Sequence, residues 1–366
     1  MPSLALNPAL ADLPVYQPGK PIEEVARELG LPAASIIKLA SNENPLGPSP
    51  RALSAMERVL PHLHLYPDGS AFHLKGRLAE KLGLRPENLI LGNGSNEIIE
   101  FVGHAFCRPG AEVIVSQYCF AIYPIIARMM GARVVTVPAR DFGHDLAALR
   151  AAVTPATTVM FVANPNNPTG TLAAPDAVLD LVENLPPHVL LVMDEAYVEF
   201  LDHPVDLLPR IRGAAAGNLL LMRTFSKIHG LAGLRLGYGI GTPDLVAALE
   251  RIRQPFNINA LVQAAALAAL EDDDHVDRTR ANNEAGLRLF EQELPRLGLM
   301  YVPSAANFVL IRVGDGQRVF QELQRRGVIV RPMAGYGLPE FIRISIGTPV
   351  ENARCLESLR EILHRR

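Results

Sequence analysis

A chain of 366 residues, 49% hydrophobic and 20% charged, is long enough to bury a sizeable core in one or two domains and has the balance of an ordinary globular protein. A formal net charge of -3 gives no electrostatic ground for a nucleic-acid or anionic-membrane partner. The first positive charge is Lys20, so no basic signal region opens the chain, and no run of about 18 apolar residues is present to span a bilayer. Cys107, Cys119 and Cys355 form no C-x-x-C pair and read as inert thiols of a reducing compartment, which makes the cytoplasm the expected location.

Residues 1–50 are proline-rich and irregular, and read as an arm packed on other elements. From 51 to 250 apolar runs alternate with helix-like stretches. Strands are expected at 88–91, 112–116, 133–137, 158–163, 189–193, 218–222 and 236–240, and helices between many of them, as at 121–130 and 174–182. Several of these runs are Val, Ile and Leu on both faces, the pattern of buried parallel strands. The alternation implies an α/β domain with a mostly parallel sheet and a ligand at the strands' carboxyl ends. After residue 250 the pattern changes. An Ala-rich helix is expected at 261–270, an acidic loop or helix start at 271–274, and a long amphipathic helix at 280–294. Short strands at 308–313, 328–331 and 342–346 and a last helix at 351–364 complete a smaller α+β domain over 251–366.

Four segments, the first running from Thr224 through Gly237, carry the chemistry. Thr224-Phe225-Ser226-Lys227 follows a buried strand and so sets a lysine at a strand end. Eight residues on, Arg235 stands among small and apolar neighbours in Gly230-Leu231-Ala232-Gly233-Leu234-Arg235-Leu236-Gly237, where an arginine needs an anionic partner. Asp194 ends a hydrophobic strand in Val192-Met193-Asp194-Glu195-Ala196-Tyr197, where a lone carboxylate is costly. Asn164-Pro165-Asn166-Asn167-Pro168-Thr169-Gly170 is a tight turn after another strand. Gly92-Asn93-Gly94-Ser95-Asn96-Glu97 leads from a strand into an apolar helix, whose first amides make an anion site. One chemistry uses all four: a lysine that forms an imine with an aldehyde cofactor, a carboxylate on the cofactor's ring nitrogen, and donors for its phosphate. The same glycines without a third suit a dinucleotide loop poorly, and a nucleotide-binding oxidoreductase leaves Lys227, Asp194 and Asn167 unused.

The ordered set N-P-T-G at 167–170, D-E-A-Y at 194–197, S-K at 226–227 and G-L-R at 233–235 resembles the fold-type I pyridoxal-phosphate aminotransferases, over about residues 16–347. The resemblance implies a mostly parallel seven-stranded sheet sandwiched by helices, with a smaller α+β domain. It implies pyridoxal 5'-phosphate as cofactor and Lys227 as its imine-forming lysine and proton shuttle. Asp194 would pair with the ring nitrogen, and Asn167 and Tyr197 with the ring oxygen. Ser226 and Arg235 would hold the phosphate with help from Ser95 and Asn96. Phe120 matches the aromatic that stacks on the ring, with Tyr118 as the competing candidate.

Within that family the chain is similar to the histidinol-phosphate aminotransferases. The residues that carry this are Val15-Tyr16-Gln17-Pro18-Gly19, Ser41-Asn42-Glu43-Asn44-Pro45, Tyr66-Pro67-Asp68, Arg331-Pro332 and Phe341-Ile342-Arg343. The similarity implies a homodimer in which Tyr66 reaches the partner's cofactor phosphate. It also implies a substrate anion pocket of Tyr16, Arg331 and Arg343, with Asn42 beside it; guanidinium forks match phosphate oxygens. The reaction expected is amino transfer from L-histidinol phosphate to 2-oxoglutarate, giving imidazole acetol phosphate and L-glutamate, in histidine biosynthesis. The same arginines suit an amino-acid carboxylate, so an aromatic amino acid aminotransferase is the alternative, with a phosphothreonine decarboxylase of the same fold more distant. Neither nucleic acid, membrane nor metal is called for.

Overall fold

The computed structural model describes residues 8–10, 13–213 and 217–364. Its strands, in chain order, are β1 (Ile37–Lys38), β2 (Leu89–Gly92), β3 (Glu112–Ser116), β4 (Arg133–Val137), β5 (Thr157–Ala163), β6 (Leu190–Asp194), β7 (Leu219–Thr224), β8 (Gly237–Ile240), β9 (Met300–Val302), β10 (Phe308–Arg312), β11 (Val328–Ile329), β12 (Arg331–Pro332) and β13 (Phe341–Ser345). Strands β2 to β8 form one seven-stranded sheet in the order β2-β8-β7-β6-β5-β3-β4. Strands β7, β6, β5, β3 and β4 are parallel, and β8 alone runs against both its neighbours, β2 and β7. This is the mostly parallel seven-stranded sheet that the alternating pattern implies, and all seven expected strands lie in it.

The sheet is apolar on both faces because both are covered. On one side Ala52, Leu74, Leu78, Leu149, Val178 and Leu181, from four covering helices, pack against Met160, Val162, Leu191 and Leu221. On the other, Ile98, Val102, Tyr123, Ile126, Leu245 and Leu249 pack against Val113, Phe161, Val192 and Leu220. Each fully buried Leu or Ile of this kind contributes roughly 1.5–3 kcal/mol relative to exposure. The Ala-rich helix Ala260–Leu270 also belongs to this core, through Val262, Ala265, Ala266 and Ala269, and so packs on the large sheet's side beyond the division expected at residue 250.

A second, smaller sheet is antiparallel, four-stranded and ordered β12-β13-β10-β9. Helices Asp273–Arg296, Gly316–Arg325 and Pro349–His364 cover it. The expected strand 328–331 splits here: β11 pairs with β1 of the amino-terminal segment, Ile37 opposite Val328, while β12 pairs with β13. That pairing fastens the chain before residue 50, which also carries the helix Ile22–Leu29, to the carboxyl-terminal unit. The long helix begins at Asp273 rather than near 280, because Asp272 accepts from the His275 amide and caps it. The three cysteines are buried and free. Among the described residues, no helix is long and apolar enough to cross a membrane.

Candidate active site

Strands β5, β6 and β7 end side by side, so the segments that follow them share one edge of the sheet. The strand order reverses across β3, with β4 on one side and β5 on the other, the arrangement that opens a crevice at carboxyl ends in α/β sheets. A cavity of about 370 Å³ lies there, lined by residues of both sheets.

Asp194 closes its floor. It is buried, and one carboxylate oxygen accepts from the Tyr123 phenol at 2.5 Å while the other accepts from the Ala196 amide at 3.0 Å. Burial pushes its carboxyl up to about 6, against the pull of the Tyr123 hydrogen bond. Lys227 enters from the turn after β7. Its Nζ donates to the Ser41 carbonyl at 3.2 Å and stands 5.8 Å from the centre of the Tyr197 ring. Burial, with Arg343 as the next cause, brings its ammonium down to about 8. An amine so depressed is about one-tenth neutral at pH 7, against well under a thousandth for an ordinary lysine, and the neutral form is the nucleophile and base.

At one end of the cavity lie Ser95, Asn96, Ser226 and Arg235. The helix Ser95–Phe106 starts at Gly94, which has no side chain to cap it, so its first amides are left for an anion. Gly94 is required at this point. A Cβ there would stand 2.2 Å from an Arg235 guanidinium nitrogen, and the backbone has φ +79°. Gly237 is equally constrained, since its Cβ would come within 2.2 Å of the Ser95 amide nitrogen. Arg235 itself is exposed at the rim, its Nη1 donating to the Ala232 carbonyl at 3.1 Å.

The opposite wall comes from the small sheet and the amino-terminal segment. Arg343, on β13, is buried; Nη1 donates to Asn167 Oδ1 at 2.5 Å, Nη2 to the Ala40 carbonyl at 3.0 Å, and Cζ lies 5.0 Å from the Phe308 ring centre. Its Nε has no hydrogen-bond partner, and among the described residues no carboxylate pairs with it. A buried guanidinium in that condition calls for an anionic ligand. Arg331 donates to the Gln17 carbonyl and packs 5.7 Å from the Tyr16 ring centre. Asn42 donates its amide to the Tyr197 phenol oxygen at 2.9 Å, which leaves the phenol's own proton free to be donated. Burial raises the Tyr197 phenol well above its usual range, so that proton is retained.

The structure therefore brings Lys227, Asp194, Asn167, Tyr197, Ser226, Arg235, Ser95, Asn96 and Phe120 into one cavity with Tyr16, Asn42, Arg331 and Arg343. Phe120 lines it, whereas Tyr118 turns away and stacks on Phe142 with ring centres 6.0 Å apart. Tyr66 is not brought in. It is 83% exposed and stacks on Phe256 at 4.7 Å. Three residues escaped the sequence reading: Glu43 and Tyr336, which line the cavity, and Tyr123, which holds Asp194. Glu43 stands beside Asn42 in the run Ser41–Pro45. Tyr336 lies in the short turn of helix Ala334–Tyr336, where no local pattern marks it.

With an amine between a buried carboxylate and an anion-binding helix start, this cavity has the polarity of a site for a phosphorylated, nitrogen-containing aldehyde. The chain belongs to the family of class I and II aminotransferases, which matches residues 34–359. It is 51% identical over 358 residues to a histidinol-phosphate aminotransferase of Akkermansia muciniphila, covering 98% of each chain. It is 53% identical over 354 residues to histidinol-phosphate aminotransferase 2 of Ralstonia nicotianae, covering 95% of this chain and 94% of the relative. In structure it is similar to the histidinol-phosphate aminotransferase of Sinorhizobium meliloti in complex with pyridoxal-5'-phosphate. That match has a TM-score of 0.88 and 30% identity, over 99% of this chain and 98% of the other.

Proposed function

We propose that this protein is a pyridoxal-phosphate-dependent aminotransferase that moves the amino group of L-histidinol phosphate to 2-oxoglutarate, giving imidazole acetol phosphate and L-glutamate, a step of histidine biosynthesis. The observation that carries the reading is the placing of Lys227 between Asp194 and the Ser95–Asn96–Ser226–Arg235 group, with Arg331 and Arg343 on the facing wall, neither paired with a carboxylate among the described residues.

The donor set fits the cofactor: an acceptor for a ring N–H at one end, donors for a phosphate dianion at the other, and Phe120 as an aromatic wall. When bound, pyridoxal phosphate supplies an aldehyde that takes up amino groups and a ring that stores the electrons of a substrate carbanion. Asp194 then accepts from the ring nitrogen, and its burial strengthens that pairing. The Tyr197 phenol and the Asn167 amide, whose oxygen is already taken by Arg343, donate to the ring oxygen. Ser226, Arg235 and the first amides of the helix Ser95–Phe106 hold the phosphate. The Lys227 Nζ would be the base that takes and returns the substrate-carbon proton, a task suited to an amine depressed to about 8. Arg343, Arg331 and Tyr16, with Asn42 beside them, receive the substrate's phosphate and, in the second half-reaction, a carboxylate of glutamate.

The reading includes a homodimer. Arg235 and Gly233 are exposed at the anion end, and Tyr66 stands out of the surface with Leu60, Leu63, Leu65 and Phe72, each about half exposed or more. A second copy covering that apolar face brings a Tyr66 to the open phosphate end. A cytoplasmic location fits the three free, buried thiols.

The test is a single-turnover absorbance assay on the cofactor-loaded protein, with L-histidinol phosphate and L-phenylalanine added separately and no oxo acid. Faster loss of the cofactor's visible band with histidinol phosphate supports the proposal. An equal or faster response to phenylalanine makes the protein an aromatic amino acid aminotransferase. A band unchanged by both overturns aminotransfer.

A further inference from the structure

Tyr123 lies in the helix Ile122–Met129, fully buried, and its phenol donates to an Asp194 carboxylate oxygen at 2.5 Å across 71 positions of sequence. Its ring is clamped on two sides. It stacks on Phe161 of β5 with ring centres 4.6 Å apart and planes 4° from parallel, and it meets the cavity-lining Phe120 edge to face at 5.6 Å and 82°. Aromatic contacts of these two geometries are favourable beyond the area they bury. The hydroxyl therefore has little freedom, and Asp194 inherits its orientation from a packed aromatic unit rather than from solvent.

We infer, resting on the cofactor reading above, that Tyr123 is the positioning residue of Asp194: its phenol fixes one carboxylate oxygen while its ring fixes the Phe120 wall, so that the face and the edge of the cofactor ring are located by one side chain. The two Asp194 hydrogen bonds, from Tyr123 and the Ala196 amide, leave each oxygen with acceptor capacity for the ring nitrogen's proton. The phenol also opposes burial in keeping the carboxylate charged. The other titratable groups facing the pair are Cys119 and Tyr197 on the Tyr123 side, and Glu195 and Lys227 on the Asp194 side. None of these donates a hydrogen bond to the Asp194 carboxylate, so the phenol's part is not duplicated among the described residues.

The test uses the full chain, freed of cofactor and titrated with pyridoxal phosphate by equilibrium dialysis from about pH 5.5 to 8.5, a span that brackets the Asp194 titration. Tyr123→Phe keeps the ring and removes the donor. It is expected to weaken cofactor affinity about tenfold near neutrality, the scale of one lost hydrogen bond to a charged group. It is also expected to move the acid-side loss of affinity up by about one pH unit, since the buried carboxylate then protonates more readily. Phe161→Leu keeps the donor and loosens the stack. It is expected to lower thermal stability and to weaken affinity about threefold, less than Tyr123→Phe does, while leaving the acid-side midpoint near that of wild type because the donor remains. Tyr123→Phe that binds like wild type, or Phe161→Leu that shifts the midpoint as much as Tyr123→Phe, overturns the inference and makes Tyr123 a packing residue only. Loss of fold in Tyr123→Phe does the same. Wild-type protein that takes up no pyridoxal phosphate overturns the cofactor reading itself, whatever the variants do.

Discussion

Arg343 reaches from the small sheet across the cavity to Asn167, donating from Nη1 to the amide oxygen at 2.5 Å, and so joins the two sheets at the site itself. With Nη2 on the Ala40 carbonyl, the guanidinium is held in one plane at the cavity wall, its buried Nε without a partner. Lysine at this position keeps the charge and loses the fork. Arg343→Lys is expected to lower kcat/KM for histidinol phosphate about 100-fold, and Arg343→Ala about 1,000-fold, the range for one partner of a buried charged contact. Steady-state kinetics with both amino donors checks this. Equal losses for glutamate fit an arginine that serves both half-reactions.

The depressed Lys227 ammonium has its own consequence in the cofactor-free protein. Capture of pyridoxal phosphate needs the neutral amine, so its rate is expected to rise with pH and level off above about 8, not above the ordinary 10.5. Arg343 is the second cause of the depression, after burial, so Arg343→Gln is expected to move the midpoint upward. Stability follows the same linkage. Between about 8 and 10.5 the unfolded chain holds more protons on this group than the folded one, so its contribution to stability rises with pH across that window. Below 8 the cost of the buried charge is fully present. Stopped-flow absorbance gives the capture rate. A midpoint near 10 in wild type removes the argument.

Most of the site was legible because each member follows a strand directly and carries a local pattern. Asp194 is the last residue of β6, Lys227 comes three residues after β7, and Asn167 four after β5. Strands that are apolar on both faces announce themselves, and what comes after them is at their carboxyl ends by construction. Tyr123 had no such mark. It sits in an apolar helix and reads as core, and only the fold brings it to Asp194. The helix Pro50–Val59 is absent from the expected elements although Ser49 caps it and Pro50 opens it; of its ten residues only the small Ala52 and Ala55 are buried. The placing of Ala260–Leu270 was misjudged for the opposite reason: nearly uniform apolarity identifies a helix but not the side it packs on.

Gly94 and Gly237 make the anion end geometrically intolerant. A methyl group at Gly94 meets the far end of the Arg235 side chain, which can swing away, so Gly94→Ala is expected to fold and to lose pyridoxal-phosphate affinity about tenfold, as one charge-assisted contact is lost. The positive φ at Gly94 adds a strain of about 1 kcal/mol for alanine. At Gly237 the same methyl meets the Ser95 backbone, which cannot swing. Gly237→Ala is therefore expected to displace the helix start and destabilise the protein by about 1–3 kcal/mol, as overpacking does. Thermal melts with and without added cofactor separate the two: the Gly94 variant loses mainly the cofactor-dependent part, the Gly237 variant loses both.

Tyr66 and Lys227 are the pair that tests the shared site. Tyr66 is 83% exposed and does not line the cavity of its own chain, whereas Lys227 does. If each cavity is completed by the partner's Tyr66, Tyr66→Ala and Lys227→Ala are defective for different reasons in different halves of the same site. Mixed dimers then contain one cavity with both defects and one with neither. Equal amounts of the two variants, unfolded together and refolded, are expected to recover about a quarter of wild-type activity, since half of the dimers are mixed and each has one intact site. The Lys227→Ala homodimer alone is expected to be lower than wild type by about 10⁴-fold or more, because it loses both the nucleophile and the general base. Activity in the mixture no greater than the sum of the separate variants means that Tyr66 acts within its own chain or not at all. Recovery at the expected level places each Tyr66 in the site of the other copy.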